Sequence, residues 1–188
     1  MGLILASSSP RRKRILEDLG YNFECISPNI DESNSSNLKP IDYVVDVSER
    51  KGSHVWNNNQ GSHVISGDTI IDFNGKIIGK PSSNDAAFKI IQKLSNHTHS
   101  VISGLSLFYD NKVITIFDKT DVTFKDLPEN TIQNYIDSFD VLDKAGAYNI
   151  EDAENILIKH IDGCYNNIVG FPEEKFLKSE IKNILDSQ

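Results

Sequence analysis

The segment Val64-Ile-Ser-Gly-Asp-Thr-Ile-Ile-Asp-Phe-Asn-Gly-Lys-Ile-Ile78 contains two apolar runs separated by Asn74-Gly75, and it indicates what kind of sheet this chain forms. Asn-Gly between apolar residues is typical of a tight β-hairpin, because both residues tolerate the left-handed backbone of that turn. A hairpin places its two strands antiparallel. The segment therefore argues against an all-parallel, doubly wound sheet.

Helices and further strands are predicted on both sides of this hairpin. A short buried strand is predicted over residues 3–5 and longer strands over 100–109 and 112–124, while the Ser/Asn-rich residues 33–37 are predicted to be a loop. Capping residues and apolar periodicity predict helices after Ser9, from Pro40, after Ser82 or Ser83, from Pro128 and, as a single final helix, after Pro172. Helices interspersed with hairpins and long strands indicate a mixed α/β fold.

The composition sets limits on size and environment. We predict one domain spanning residues 1–188, and 38% hydrophobic with 24% charged residues is typical of a globular protein. No apolar run approaches the roughly 20 residues that cross a bilayer, so no membrane span is expected. The first residues lack a basic segment and are expected to form a strand rather than a leader.

Charge and cysteine content narrow the function classes. A net charge of -8 argues against a protein that wraps nucleic acid, since such proteins neutralise phosphates with a basic face, but it leaves room for a small polyanionic ligand. Cys25 and Cys164 are the only cysteines, so no disulfide framework or cysteine-rich zinc site is expected. We expect two packed thiols in a reducing, cytoplasmic environment.

The run Ser7-Ser-Ser-Pro-Arg-Arg12 combines three features that bind phosphate. Ser7 and Ser9 offer hydroxyl donors, the start of a helix offers free N–H groups at its positive dipole end, and Arg11 and Arg12 can each bind two phosphate oxygens. The alternative is a capped helix with solvated arginines.

A second glycine-containing segment, Gly75-Lys-Ile-Ile-Gly-Lys-Pro81, superficially resembles the phosphate loop of kinases and GTPases. Its spacing is one residue short, and Pro81 stands where a metal-binding Ser or Thr is required. Lys80 remains a candidate phosphate ligand, with an ordinary surface lysine as the alternative.

Asp68 interrupts an apolar strand, where an ionised carboxylate is costly unless a metal or hydrogen bonds compensate it. Together with the loop residue Glu32, it offers the hard oxygen ligands that Mg²⁺ or Mn²⁺ prefers. The alternatives are an Asx turn at Asp68 and a solvated acid at Glu32. His97, His99 and Ser103 lack the partners of a zinc or serine-hydrolase site in the sequence, so no catalytic role is assigned to them.

Blocks spread along the chain resemble, in the same order, the Maf family of nucleotide pyrophosphatases. They are Leu5-Ala-Ser-Ser-Ser-Pro-Arg-Arg12, Ile30-Asp-Glu32, Ser48-Glu-Arg-Lys51, Ser66-Gly-Asp-Thr69, Ile78-Gly-Lys-Pro81, Thr98-His-Ser-Val-Ile-Ser-Gly104, Thr120-Asp-Val-Thr-Phe124, Asp143-Lys-Ala-Gly-Ala-Tyr148 and Ile161-Asp-Gly-Cys-Tyr-Asn-Asn-Ile-Val-Gly170. The resemblance covers almost the whole chain.

This resemblance implies both a fold and a site. The fold is an elongated, curved mixed sheet with flanking helices and a deep cleft between two lobes, similar to inosine triphosphate pyrophosphatases. Asp68 is implied to be the proton acceptor, with Glu32 as a metal or catalytic acid. Arg11, Lys51 and Lys80 are implied to line the triphosphate site, and a homodimer is compatible with the family.

The block containing Lys144 resembles the branch that hydrolyses dTTP and UTP rather than the branch that prefers 7-methyl-GTP. Thr69 matches a specificity position, and Lys144 and Glu151 are included among the substrate-binding candidates. Glu151 stands where that branch has Gln, and since ionised Glu only accepts hydrogen bonds, the base preference stays open. Gly52 and Gly67 replace residues that are usually alanine in the family.

The expected reaction is metal-dependent hydrolysis of a nucleoside triphosphate to the monophosphate and pyrophosphate. Modified pyrimidine triphosphates are further candidate substrates. The rival interpretations are a 7-methyl-GTP-type pyrophosphatase and a nucleotide-binding regulator of cell division that has lost turnover.

Overall fold

The computed structural model describes residues 2–33 and 37–187, so residues 34–36 of the predicted loop lie outside it. The strands are β1 (Leu3–Ala6), β2 (Glu24–Cys25), β3 (His63–Phe73), β4 (Lys76–Ile78), β5 (Thr98–Tyr109), β6 (Lys112–Phe124) and β7 (Ile158–Asp162). The helices are α1 (Pro10–Asp18), α2 (Pro40–Trp56), α3 (Asn84–Leu94), α4 (Glu129–Ser138), α5 (Ile150–Ala153), α6 (Tyr165–Val169), α7 (Glu173–Leu177) and α8 (Glu180–Asp186), with a 3₁₀ turn at Ala145–Ala147.

Within the described residues the strands form one mixed sheet in the order β2-β1-β3-β5-β6-β7. β4 lies off this path and pairs with the last three residues of β3. β1 pairs in parallel with β2 and β3, whereas β3, β5, β6 and β7 pair antiparallel in succession. The hairpin predicted at Asn74-Gly75 joins β3 to β4 with positive φ at both turn residues. The prediction of a mixed α/β fold is therefore confirmed.

The first helix forms where its capping residues predict it. Ser9 accepts a hydrogen bond from the Arg12 N–H at 3.4 Å, and Pro10 takes the first helical position, where its missing N–H costs nothing. Ile15 and Leu16 are buried against the sheet, and Gly20 beyond the helix adopts positive φ. This helix fixes the direction in which the preceding serine loop faces.

The prediction of one final helix after Pro172 is wrong. The chain forms two short helices, α7 and α8, and Ser179 caps the second by accepting from the Lys182 N–H at 3.4 Å. The apolar periodicity continues across the break because Phe176, Ile181 and Leu185 are all buried in the same core. A side-chain cap competes with the helical backbone bond at that position, so the helix restarts there.

Strand β1 is buried on both faces of the sheet. Leu3 and Leu5 pack into a large cluster with α1, α3, α4, α7 and α8, whereas Ile4 and Ala6 pack on the opposite face with Val55 of α2. Burial on both faces explains why β1 is a continuous apolar run rather than an alternating one.

Helix α2 packs closely against the sheet because there is a glycine on each side of the contact, Gly52 on α2 and Gly104 on β5. A Cβ atom at Gly52 would lie 2.4 Å from the Phe108 ring, and one at Gly104 would lie 3.0 Å from the Val44 carbonyl oxygen. Alanine at position 52 would therefore require Phe108 to move. This close packing brings the polar face of α2 to the centre of β3.

Among the described residues, no helix combines the length and apolar character needed to cross a membrane. Cys164 is buried as expected, but Cys25 is exposed on the short strand β2, so the prediction of two packed thiols is wrong for Cys25.

Candidate active site

The serine loop between β1 and α1 is held in shape by its own hydroxyl groups. The Ser9 N–H donates to Ser7 Oγ at 3.1 Å, while Ser9 Oγ caps the helix. Ser7 is buried and Ser8 is exposed. The loop thus presents the start of a nine-residue helix, with its partial positive charge, to one side of the sheet.

Arg12 ties this loop to two distant parts of the chain. Its buried guanidinium donates to the Gly170 carbonyl oxygen at 2.8 Å, to Thr69 Oγ1 at 2.9 Å and to Ser7 Oγ at 3.3 Å. Burial lowers the pKa of Arg12, and the negative charge of Asp68 acts in the opposite direction. These contacts use one N–H of each guanidinium nitrogen, so the terminal nitrogens each keep a second donor for an anion.

Arg11 is oriented from across the fold. Its Nη1 donates to Asn149 Oδ1 at 3.0 Å, and the Asn149 side-chain amide donates in turn to Asp152 at 3.0 Å. The Asn149 backbone N–H donates to the buried Tyr135 hydroxyl at 3.3 Å. Arg11 therefore contacts a fixed amide rather than pointing freely into solvent.

Lys51 joins the two acids that the sequence singled out. Its Nζ lies 2.9 Å from Asp68 Oδ1 and 3.1 Å from Glu32 Oε1. The side chains of Lys51 and Asp68 are each only 10% exposed, whereas that of Glu32 is 50% exposed. The charge of Asp68 inside an apolar strand is thus compensated by an ammonium group from α2.

The same helix holds the backbone next to Glu32. The Tyr43 hydroxyl donates to the Glu32 carbonyl oxygen at 2.5 Å, and the Arg50 guanidinium donates to the Asp31 carbonyl oxygen. Arg50 is itself held by Asp46 at 2.7 Å. Burial raises the pKa of Tyr43, and the charges of Asp68 and Glu32 raise it further.

These groups surround one cleft with a volume of about 760 Å³. Lys80 lies just beyond β4, and Lys144 precedes the 3₁₀ turn, where it pairs with Asp143. The sequence-predicted residues that line the cleft are Ser7, Ser9, Arg11, Arg12, Glu32, Lys51, Asp68, Thr69, Lys80 and Lys144. Cationic groups from separate segments therefore face the same space as the two carboxylates.

Thr69 lies at the start of a buried polar chain under the cleft. Its hydroxyl is 2.9 Å from Ser103 Oγ, which donates to the Asn167 carbonyl oxygen at 2.8 Å. The Asn167 amide donates to the Val101 carbonyl oxygen and to Thr120 Oγ1, both at 3.0 Å. Ser103 is thus a structural link between β5 and α6.

Glu151 is the one predicted site residue that does not line the cleft. It lies on α5, where its carboxylate accepts from Arg14 Nη2 at 2.6 Å, and this hydrogen bond lowers the pKa of Glu151. Its substrate-binding role stays a prediction, and the structure pairs it with an arginine on α1 instead.

Sequence reasoning missed three residues that shape the site: Tyr43, Arg50 and Asn149. Tyr43 and Arg50 lie two helical turns apart, on the α2 face that also carries Lys51, so helical spacing from Lys51 could have found them. No local signal marks Asn149, because its partner Arg11 is 138 positions away.

The carboxylates of the cleft are the groups that could hold a divalent metal. Within residues 2–33 and 37–187, no group of three His, Cys, Asp or Glu side chains is suited to hold a metal ion. Asp68 and Glu32 nevertheless converge on one ammonium group, which offsets one of their two charges. Mg²⁺ is often bound by one or two carboxylates plus substrate phosphates, and this pair fits that pattern.

Comparison with known proteins gives the family. The family model described as "Maf-like protein" matches residues 2–180. The chain belongs to the Maf-like family.

Maf-like relatives match over nearly the full chain. A protein of Bacillus cereus is 39% identical over 176 residues, covering 94% of this chain and 92% of the relative. One of Clostridium perfringens is 41% identical over 183 residues, covering 95% of each. Both relatives are named dTTP/UTP pyrophosphatase.

A solved structure gives a weaker likeness to this Maf-like chain. The Staphylococcus aureus Ham1 protein matches 67% of this chain and 73% of its own, with a TM-score of 0.46 and 15% sequence identity. A likeness of this size adds nothing to the fold described above.

Proposed function

We propose that this chain is a nucleoside triphosphate pyrophosphatase that acts on dTTP and UTP. Water would attack the α-phosphorus, the bond to the bridging oxygen would break, and the products would be the nucleoside monophosphate and pyrophosphate. The observation that carries this proposal is the meeting of Asp68, Glu32 and Lys51 in the same cleft as the Ser7–Arg12 loop. The names of the Maf-like relatives support the choice of substrates.

The triphosphate would lie along the cationic side of the cleft. The start of α1 offers its partial positive charge, and Arg11 and Lys80 offer positive charge that can neutralise the pyrophosphate as it leaves. Lys144 extends this cationic lining. Preorganised cations are the main catalytic device in phosphoryl chemistry, because the reaction chiefly redistributes negative charge.

Asp68 is our candidate for the group that accepts the proton of the attacking water. Its contact with Lys51 runs through Oδ1, so we assign the proton to Oδ2. Asp68 and Glu32 would hold Mg²⁺ or Mn²⁺, and such an ion would supply charge neutralisation on the phosphate oxygens. Modified pyrimidine triphosphates belong to the proposed substrate range.

Replacing Asp68 tests this proposal directly. We expect Asp68→Asn to lower turnover of dTTP and UTP by at least about 100-fold, since general-base catalysis contributes on that order. Hydrolysis with Mg²⁺, with Mn²⁺ and with a chelator is followed by product analysis. Release of orthophosphate would reject the proposed bond cleavage, and an unchanged rate would reject Asp68 as the base.

Two outcomes would favour the rival functions. Preference for 7-methyl-GTP over dTTP and UTP would assign the chain to the other substrate class. Tight binding of triphosphate without metal-dependent turnover would indicate a nucleotide-binding regulator. Thermal unfolding of each variant serves as the control that the fold is retained.

A further inference from the structure

The neighbouring arginines of α1 differ in how many of their donors the protein itself uses. Three hydrogen bonds hold the buried Arg12 guanidinium inside the fold. Arg11 is only partly buried, and within residues 2–33 and 37–187 its side chain makes a single hydrogen bond, from Nη1 to Asn149 Oδ1 at 3.0 Å. Since a guanidinium carries five N–H donors, Arg11 keeps the others for a ligand in the cleft that it lines.

Asn149 makes this bond instead of capping its own helix. It occupies the N-cap position of α5, where asparagine is favoured because its side-chain oxygen can accept from a backbone N–H of the first turn. The Asn149 side chain makes no such bond, and its Oδ1 accepts from Arg11 instead. Departures from a local rule of this kind are expected at functional sites.

Asp152 fixes the orientation of the Asn149 amide. The amide nitrogen donates to Asp152 Oδ2 at 3.0 Å. An ionised carboxylate only accepts hydrogen bonds and a guanidinium only donates them, so the nitrogen must face Asp152 and the oxygen must face Arg11. The bond to the carboxylate also polarises the amide, which makes its oxygen a stronger acceptor. The row Asp152, Asn149, Arg11 therefore has one arrangement of donors and acceptors.

A second contact between α1 and α5 shows the difference between a charged and a neutral partner. Arg14 Nη2 lies 2.6 Å from Glu151 Oε1, so a carboxylate compensates the charge of Arg14, and Arg14 does not line the cleft. Arg11 does line the cleft, and its partner is a neutral amide. An amide oxygen orients a guanidinium without adding an opposite charge. The positive charge of Arg11 thus stays available to an anion.

We propose that Asn149 is a positioning residue that directs Arg11 toward the pyrophosphate group of the substrate while leaving the charge of Arg11 uncompensated. Asn149 does not itself line the cleft, so it acts through Arg11. Negative charge builds on the leaving group during phosphoryl chemistry, and a preorganised cation stabilises that charge. This inference rests on the proposed function, because it assigns Arg11 a part in that reaction.

A double-mutant cycle tests whether Asn149 acts through Arg11. We expect Asn149→Ala to lower kcat/KM for dTTP by roughly 10- to 100-fold, mainly through kcat, because a misplaced group loses interactions that are made in the transition state. In the Arg11→Ala background, the same substitution should have almost no further effect. Equal losses in both backgrounds would overturn the proposal. Thermal unfolding checks that each variant keeps its fold.

Exchanging Asn149 and Asp152 tests why the partner of Arg11 is neutral. The double variant Asn149→Asp/Asp152→Asn keeps the net charge and a hydrogen bond between the two positions, but it places the carboxylate directly against Arg11. We expect kcat to fall by roughly 10-fold or more, since the cation that faces the leaving group is then neutralised. Wild-type turnover in this variant would contradict the need for an uncompensated Arg11.

Arg14→Gln is the matched control, because it breaks the neighbouring contact between α1 and α5 and leaves Arg11 and Asn149 in place. Its turnover should stay within about 2-fold of wild type, as expected for an exposed ion pair. A loss as large as that of Asn149→Ala would assign the effect to the docking of the two helices and overturn the proposal.

Affinity for inorganic pyrophosphate, measured by calorimetry, separates this inference from the proposed function. Asn149→Ala should weaken pyrophosphate binding in the wild-type background but not in the Arg11→Ala background. A wild-type protein that hydrolyses neither dTTP nor UTP would reject the proposed function. Equal pyrophosphate affinity of wild type and Asn149→Ala would instead reject the positioning role of Asn149.

Discussion

Lys51 contacts both candidate acids of the cleft. It donates from α2 to Asp68 on β3 and to Glu32 in a loop, and its own side chain is 10% exposed. Removing one partner of a buried pair leaves an uncompensated charge, which costs far more than the pair itself contributes.

We therefore expect Lys51→Met to lower the free energy of unfolding by roughly 3–5 kcal/mol, measured by urea denaturation at pH 7. Turnover should fall as well, because Asp68 loses the group that positions it. Adding Asp68→Asn should lower the free energy of unfolding less in the Lys51→Met background than in the wild type. Additive losses would contradict the coupling.

The exposed pair Lys13–Glu17, at 3.7 Å, provides the matched control for this prediction. Lys13→Met removes the same ammonium group from the surface of α1. Exposed ion pairs contribute about 0–1 kcal/mol, so its effect on unfolding should stay within that range.

Helix α2 holds the segment that carries Glu32 through three of its side chains. Tyr43, Arg50 and Lys51 all contact that segment, two through backbone carbonyl oxygens and one through the carboxylate. A rigid helix thus restricts the position of a loop residue that is itself half exposed. Such restriction is what a positioned catalytic or metal-binding acid requires.

Tyr43→Phe removes one hydroxyl from this contact. We expect turnover to fall by roughly 3- to 10-fold, in line with about 1 kcal/mol for one hydrogen bond, and amide exchange at residues 31–33 to accelerate. Hydrogen-exchange mass spectrometry and steady-state hydrolysis check the two effects. Tyr21→Phe removes a comparable hydroxyl that contacts Asp186, away from the cleft, and should leave both unchanged.

The break between α7 and α8 is an element-scale feature that depends on one cap. Ser179→Ala removes the acceptor for the Lys182 N–H and should destabilise the protein by roughly 0.5–2 kcal/mol in thermal or urea unfolding. Ser187→Ala lies at the other end of α8, where the hydroxyl only donates to the Ile184 carbonyl oxygen, and should change stability less. Equal effects would argue against the cap.

Stability of the whole molecule should depend on pH through a buried histidine. His99 is 1% exposed and bonds the Tyr148 hydroxyl through Nε2 at 2.8 Å, and burial lowers its pKa from 6.5 to about 4. Between these values the unfolded chain binds a proton that the folded chain does not. The contribution of His99 to the free energy of unfolding is therefore fully present above pH 6.5 and is lost as the pH falls toward 4.

One such proton changes the free energy of unfolding by at most about 1.4 kcal/mol per pH unit. Burial also lowers the pKa of His63, which adds to the loss in the same direction. Urea unfolding of wild type and His99→Gln at pH 7.5 and pH 5 separates the contribution of His99 from that of His63. The variant should be less stable at pH 7.5 but lose less stability on acidification. An identical pH dependence would contradict the assignment to His99.

Whether the sequence predicts a structural feature depends on how far apart in the chain the residues that form it lie. The Asn74-Gly75 hairpin, the Ser9 cap with Pro10 and the full extent of β6 followed from the residues themselves. Such features arise between neighbours in the chain, so composition and spacing reveal them. The final helix was mispredicted because the apolar period continued while a local cap interrupted the backbone.

The sequence by itself determined the mixed sheet, the serine loop at a helix start and the presence of an acid inside an apolar strand. Only the tertiary structure decided that Lys51 compensates that acid, that Arg12 bonds the Gly170 carbonyl oxygen 158 positions away, and that Glu151 pairs with Arg14 outside the cleft. The physical reason is that a charge or hydrogen bond acts over a few ångströms in space. Which residues come within that range depends on how the packed elements bring distant parts of the chain together.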